Sequence, residues 1–331
     1  LAEASVSAKK DNKKHFTLYG GDVNLVFNPD SPRYRYVVDD HRAGVVGESV
    51  RGVTTVLRDI LHKPDLMSYQ MNESMKYLFG QKFDEKLKMY FYDPEVATLK
   101  PDTPVSKEGL QELLEHSRNA HNKRSDRGKD MGTMFHRVME LHLKRKDKVM
   151  AEVLKEFEPS AEDAKALKKM YESLVKWWEA LNRAHDVIVI DIERPIYGRE
   201  LNYAGTMDLC LEIDGRFVVL DLKTTNRSRK APMGIYSEYF MQLGAYAYAY
   251  RMEHGYAIGD VGIVNIGKDG KLNAVLGSDM NVSVEWCEKA FAFACRLHDW
   301  LEVANKTLTE NANVNSILNP LTEGREVGSE S

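Results

Sequence analysis

Apolar and polar positions change rhythm along the chain. GVTTVLRDILHKPDLMSYQMNESMKYL repeats its apolar residues at helical spacing with an interruption at Pro64, and TMFHRVMELHLKRK carries Met134, Val138, Met139 and Leu141 as one stripe. A longer amphipathic helix is predicted from about Ala161 through Trp177 and Trp178. SRNAHNKRSDRGKDMG (117–132) reads as a basic, polar connection. From DVIVIDIERP the pattern turns β-branched, and three strands are predicted between 187 and 224, the first stopped by Pro195. YRYVV and the residues after DDHRAG predict a small hairpin near the start of the chain. Downstream, EYFMQLGAYAYAYRMEHG predicts a helix ending at Gly255, DVGIVNIGKDGKLNAVLG a hairpin around its Asp-Gly turn, and VEWCEKAFAFACRLHDWLEVA a closing helix. No internal repeat is visible. Helices, strands, helix, strands, helix in that order predict an α/β fold, a sheet with helices packed against it.

The ends are polar: residues 1–15 are Lys-rich and 306–331 are rich in Asn, Ser, Gly and Glu, so both are expected to be disordered tails around one domain, 16–305. Within it, 16–185 is expected to be mainly helical and 186–305 to bear the sheet. The 331 residues, 43% apolar, suffice for a large core. There is no apolar run of eighteen residues and no signal-peptide core in LAEASVSAKKDNKKHF, so neither a membrane nor secretion is expected. Cys210, Cys287 and Cys295 form no CxxC pair and fall short of four ligands, which points to unpaired thiols in a reducing compartment and to no structural zinc or iron–sulfur cluster. A net charge of −4 argues against coating nucleic acid by bulk charge while leaving room for a local basic channel.

GTMDLCLEIDGRFVVLDLKTT concentrates the chemistry. Asp214-Gly215 between alternating apolar residues predicts a two-residue hairpin turn, which sets Ile213 against Arg216 and, continued outward, Asp208 against Asp221. One face then carries Met207, Leu209, Leu211, Ile213, Val218, Leu220 and Leu222; the other carries Asp208, Asp221 and Lys223. Directly opposed side chains lie roughly 5 Å apart, where like charges need neutralising. A divalent cation would do so; so would an Asp208–Lys223 ion pair with Asp221 solvated.

The spacing GTMD, twelve residues, DLK, then MQLGAY resembles the PD-(D/E)xK nucleases of the RecB-like exonuclease branch. GVTTVLRDILHKPDL, GTMFHRVMELHL, ERPIYGRELNYAGTMDLC, VVLDLKTT and QLGAYAYAY, in this order from about Val53 to Tyr250, are most similar to the family of mitochondrial genome-maintenance exonucleases and their phage-encoded relatives. The resemblance implies a restriction-endonuclease-like core, a central mixed sheet flanked by helices, with a largely helical N-terminal half. It implies metal ligation by His136, Asp208, Asp221 and the carbonyl of Leu222, and a Lys223 that positions water and stabilises charge on the phosphate. Glu193 would orient water at the metal, and Gln242 and Tyr246 match a QxxxY motif whose residues share a helix face. Met207 stands where the family name has proline, and the first fifty residues match nothing in the pattern.

His136 with Glu140 also reads as a surface pair on an amphipathic helix, and the absence of HExxH excludes a zinc peptidase. Tyr246, Tyr248 and Tyr250 are packing residues or a base-stacking platform. Lys123, Arg124 and Arg127, then Lys144, Arg145 and Lys146, then Arg227, Arg229 and Lys230 are either solvated faces or a groove tracking phosphates. With Thr224 and Thr225, Arg124, Arg127, Arg227 and Tyr246 make the expected DNA-contacting set. The expected activity is a Mg²⁺- or Mn²⁺-dependent DNA exonuclease favouring single-stranded ends, acting with replication or recombination proteins in a host cytoplasm or, alternatively, the mitochondrial matrix. A structure-specific or restriction-like endonuclease and a catalytically silent DNA-binding recombination accessory protein are the alternatives.

Overall fold

The computed structural model describes residues 12–29, 31, 35–61, 64–80, 82–84, 89–91, 97–98, 106–118, 120–224 and 234–310; for 64–70, 82–84, 89–91, 107–108, 118 and 120–129 it describes the backbone alone. The chain begins with four strands, β1 (Lys14–Leu18), β2 (Val23–Phe27), β3 (Tyr36–Asp40) and β4 (Val45–Gly52), and then enters helices α1 (Val53–Ile60) and α2 (Pro64–Phe79). A short pair, β5 (Lys82–Asp84) and β6 (Met89–Phe91), precedes α3 (Lys107–Arg118), α4 (Ala120–Leu143), α5 (Val149–Phe157) and α6 (Ala161–Ala184). The second half runs β7 (Val187–Gly198), β8 (Tyr203–Ile213), β9 (Arg216–Lys223), α7 (Ser237–His254), β10 (Ile258–Ile266), β11 (Leu272–Leu276) and α8 (Val284–Glu310).

Nine strands share one mixed sheet in the order β1-β2-β3-β4-β8-β9-β10-β11, with β7 on β8. The pairs β4–β8 and β9–β10 are parallel, and α7 supplies the crossover that a parallel β9–β10 pair requires. The expected mixed sheet between helices is therefore what the chain forms.

Several expectations change. In its described residues the segment 117–132 is helical rather than a connection: α3 reaches Arg118 and α4 starts at Ala120. Its polar residues lack a proline, and Lys, Arg and Met are good helix formers, so the helix nucleated by the apolar stripe beyond Met131 extends back through it. Pro195 does not stop β7, which continues to Gly198 with Pro195 opposite Thr206. Among the described residues its only partner strand is β8, and proline is tolerated on such an edge. The hairpin read near the start is β3–β4, but β1 and β2 extend it to four strands. Most of both expected tails lies outside the described residues; β1 begins at Lys14, and α8 continues to Glu310.

Both faces of the sheet are covered, so the β8–β9 ribbon has no polar outer face. On one side Leu209, Leu211, Val218, Leu220 and Val264 pack with Phe135, Val138, Met170 and Leu174 of α4 and α6. On the other, Cys210, Val219 and Ile263 pack with Leu243, Tyr250 and Phe291 of α7 and α8, joined by Met207, which was expected on the first face. All three cysteines are free and buried, and burial pushes the Cys210 thiol up to about 12. A third cluster seats Leu18, Val23, Leu25 and Val38 of the N-terminal strands on Tyr197 and Ala204. Among the described residues no helix is long and apolar enough to cross a membrane.

Two contacts carry measurable consequences. A Cβ on Gly244 of α7 would lie 2.2 Å from the carbonyl of Cys287 in α8, so these helices pack backbone against backbone. Gly244→Ala is expected to cost about 1–3 kcal/mol in denaturant unfolding. Asp40, fully buried, accepts from Arg199 Nε at 2.6 Å and Nη2 at 3.1 Å and from the N–H groups of Arg42 and Ala43. Burial alone would raise its pKa, but these bonds outweigh it and hold the carboxyl below the usual carboxylate range. Asp40→Ala should cost about 3 kcal/mol near neutral pH. Because the folded-state pKa is depressed, that stabilisation is complete above the ordinary carboxylate value and disappears as pH falls through the depressed one. Melts of both proteins should accordingly converge in acid.

Candidate active site

The expected turn is present, with Asp214 at φ 49° and Gly215 at φ 78°. From it the β8–β9 ladder runs outward from Ile213 opposite Arg216 to Leu209 opposite Leu220, and ends there. Beyond that point β9 keeps its parallel partner β10, with Asp221, Leu222 and Lys223 opposite Ile263, Val264 and Asn265. Asp208 and Asp221 are thus not a ladder pair, contrary to the extrapolated register. Asp208 Oδ2 instead accepts the Leu222 N–H at 2.7 Å, where a continued ladder would have used main-chain oxygen.

The neighbouring strand supplies a further acid. Ile192 pairs with Leu209 and Arg194 with Met207, which brackets Glu193 opposite Asp208. Glu193 has φ 50°, a left-handed conformation inside a strand, sparsely populated by residues other than glycine. From α4 in the other layer, His136 Nδ1 lies 3.0 Å from Glu193 Oε1 and 3.6 Å from Asp208 Oδ1. Ligand-type atoms of His136, Glu193 and Asp208 all fall within 4.8 Å of one another.

Asp221 is 0% exposed. Lys223 Nζ stands 2.6 Å from its Oδ2, and neither carboxylate oxygen is otherwise satisfied among the described residues. Lys223 also donates to Gln242 Oε1 at 3.2 Å and sits 4.9 Å from the ring centre of Tyr239. Gln242 in turn donates to the Tyr246 hydroxyl at 2.5 Å, and Tyr246 is only 3% exposed. Tyr239, Gln242 and Tyr246, spaced by three and four along α7, form one face that fixes the lysine. Tyr239 was missed in the sequence reading, although that spacing was its signal.

The electrostatics are those of crowded, desolvated acids. Burial drives Asp221 up, against the pull of Lys223 and with the repulsion of Asp208, to about 7. Asp208 is also raised, by burial first, with His136 opposing and Glu193 adding to the shift. Burial would lower His136, but the carboxylates of Asp208 and Glu193 override it and hold the imidazole at about 9. Burial likewise opposes the charge on Lys223, which Asp221 and Asp208 raise nonetheless. Two carboxylates and an imidazole whose ligand-type atoms lie within 4.8 Å of one another make a donor set that fits a divalent metal, which would replace protons as the neutralising charge. His136, Glu193 and Asp208 form its compact part; Asp221 lies outside that compact group.

The other expected residues distribute as follows. Thr224 Oγ1 is 3.5 Å from where a Cβ on Gly132 would sit, so the end of β9 abuts α4. Arg124 and Arg127 lie on α4 upstream of His136, their side chains outside the described residues, as are Thr225 and Arg227. Glu140 pairs with Arg137 at 2.8 Å and Lys144 at 2.7 Å and takes no part in the His136 cluster. Tyr250 bonds Asp191 at 2.6 Å, and Tyr248 bonds Glu200. Beside His136 and Glu193 a cavity of about 650 Å³ opens, lined also by Phe16, Phe27 and Phe157.

None of the curated proteins compared with the chain matches it. A model of the PD-(D/E)XK nuclease superfamily, however, matches residues 107–313, a span that contains α4, the β8–β9 hairpin and α7. The same span holds Asp208, Asp221 and Lys223. Over more than half its length, therefore, the chain belongs to the PD-(D/E)XK nuclease superfamily.

Proposed function

We propose that the protein is a Mg²⁺- or Mn²⁺-dependent DNA exonuclease of the RecB-like branch, removing nucleotides from single-stranded ends in replication, recombination or repair. The observation that carries this reading is the buried Asp221–Lys223 pair, 2.6 Å apart, held by Gln242 beside Asp208. That arrangement matches the QxxxY motif of the exonuclease branch, and the order of the motifs matches the mitochondrial genome-maintenance exonucleases and their phage relatives. A host cytoplasm fits a phage-encoded chain; the mitochondrial matrix is the second location.

In this reading His136, Asp208, Asp221 and the Leu222 carbonyl would hold the metal, which would acidify water and shield the phosphate. Glu193, bonded to His136 and facing Asp208, aligns the attacking water and accepts its proton. Lys223 stays cationic between Asp221 and Gln242 and stabilises charge that develops on the phosphate oxygens. Tyr246 acts through Gln242, since it is buried, and keeps its amide turned so that the carbonyl faces the lysine. Arg124, Arg127, Thr224, Thr225 and Arg227 hold the DNA backbone leading into the site.

Asp221→Asn and Lys223→Ala should each lower nucleotide release from end-labelled DNA by at least about a hundredfold, with unfolding transitions still cooperative. Chelation should abolish release and added Mg²⁺ or Mn²⁺ restore it. Full activity in both folded variants would remove the site assignment. A covalently closed single-stranded circle should survive in conditions that consume its linearised form; cutting of the circle would point to an endonuclease.

A further inference from the structure

We infer that the N-terminal sheet carries a nucleobase subsite, a stacking wall formed by Phe16 and Phe27 that receives a base next to the scissile phosphate. The inference rests on the nuclease reading above and extends it to residues outside the family match, which begins at 107.

The register puts these rings on one face. Lys14 pairs with Phe27, Phe16 with Leu25, and Phe27 in turn with Tyr36, so Lys14, Phe16, Phe27 and Tyr36 end the sheet face whose other end packs on Tyr197 and Ala204. That end overhangs the active site. The Tyr36 hydroxyl lies 3.4 Å from Thr206 Oγ1, two residues before Asp208, and the Phe27 and Tyr36 ring centres are 5.1 Å apart, which braces the wall. Phe16 and Phe27 stay partly exposed and face the cavity of about 650 Å³ that also touches His136 and Glu193. Such a volume is within the range of small-molecule sites and accommodates a nucleotide unit.

The rest of the lining says which part of the nucleotide enters. With Lys14 at its edge, it carries Phe157 together with Glu140 and Glu156, both already paired to Arg137. Acids whose cation is engaged disfavour a phosphate, whereas they accept hydrogen bonds from the exocyclic amines of a base. Three rings and paired carboxylates in one lining therefore suit an uncharged planar base, with the phosphodiester left beside His136 and Glu193.

The test scans a single abasic residue through the terminal positions of a single-stranded oligodeoxynucleotide and measures kcat/KM with Mg²⁺. At one position the missing base should cost the wild type roughly tenfold, the scale of one stacked base. Phe16→Leu and Phe27→Leu, which keep apolar packing and remove the ring face, should erase that discrimination. Equal rates on intact and abasic DNA, with nucleotide release otherwise normal, would overturn the subsite alone. Discrimination undiminished in both leucine variants would overturn its assignment to these rings. No metal-dependent release from any oligonucleotide would overturn the nuclease reading, and the subsite with it.

Discussion

The structure turns on where two strands stop pairing. After Leu209 and Leu220, β8 and β9 part while β9 remains bound to β10, and the Leu222 N–H left without a ladder partner is taken by the Asp208 carboxylate. A buried N–H without a partner would be costly, so the substitution ties Asp208 to a defined place. Because side chains from both sheet faces can reach into such an opening, His136 from one helical layer and Gln242 from the other meet the same pair of strands. The candidate active site is thus a local failure of the sheet, tied together by the buried acids it brings in.

The surrounding core makes this arrangement chemically useful. Apolar clusters on both faces remove Asp221 and nearly all of Asp208 from water, which raises the free energy of their ionised forms and sharpens their demand for positive charge. Lys223 meets part of it, and the α7 face of Tyr239, Gln242 and Tyr246 restrains the lysine from several sides. The close packing of α7 on α8 at Gly244 anchors that face. Residues of α7 therefore govern the position of the Lys223 ammonium.

Much of this was legible in the chain. The Asp-Gly turn and the alternation around it place Asp208, Asp221 and Lys223 correctly along two paired strands, because turn geometry and pleat are local properties. The end of the ladder was not legible, since it depends on β10, whose parallel partnership is non-local. Glu193 opposite Asp208 was hidden for the same reason: it requires the β7–β8 register across a long turn and a bulge between Val189 and Asp191. Pro195 misled because its effect depends on whether a strand lies at an edge. The polar stretch 117–132 misled because polarity resembles a loop even where the residues of α4 favour a helix, and β1 and β2, five residues each, are too short to stand out beside a Lys-rich start.

The pieces that converge on the opened ladder are far apart in the chain. His136 and Glu193 are 57 positions apart, Lys223 and Gln242 a further 19, and the sheet that overhangs them begins at Lys14. Contacts of such sequence separation form late, because loop closure has to precede them. A nascent chain emerging from the ribosome consequently lacks the assembled cluster until α7 has been made and docked. In a member of a nuclease superfamily, assembly of this cluster and completion of the fold thereby become one event.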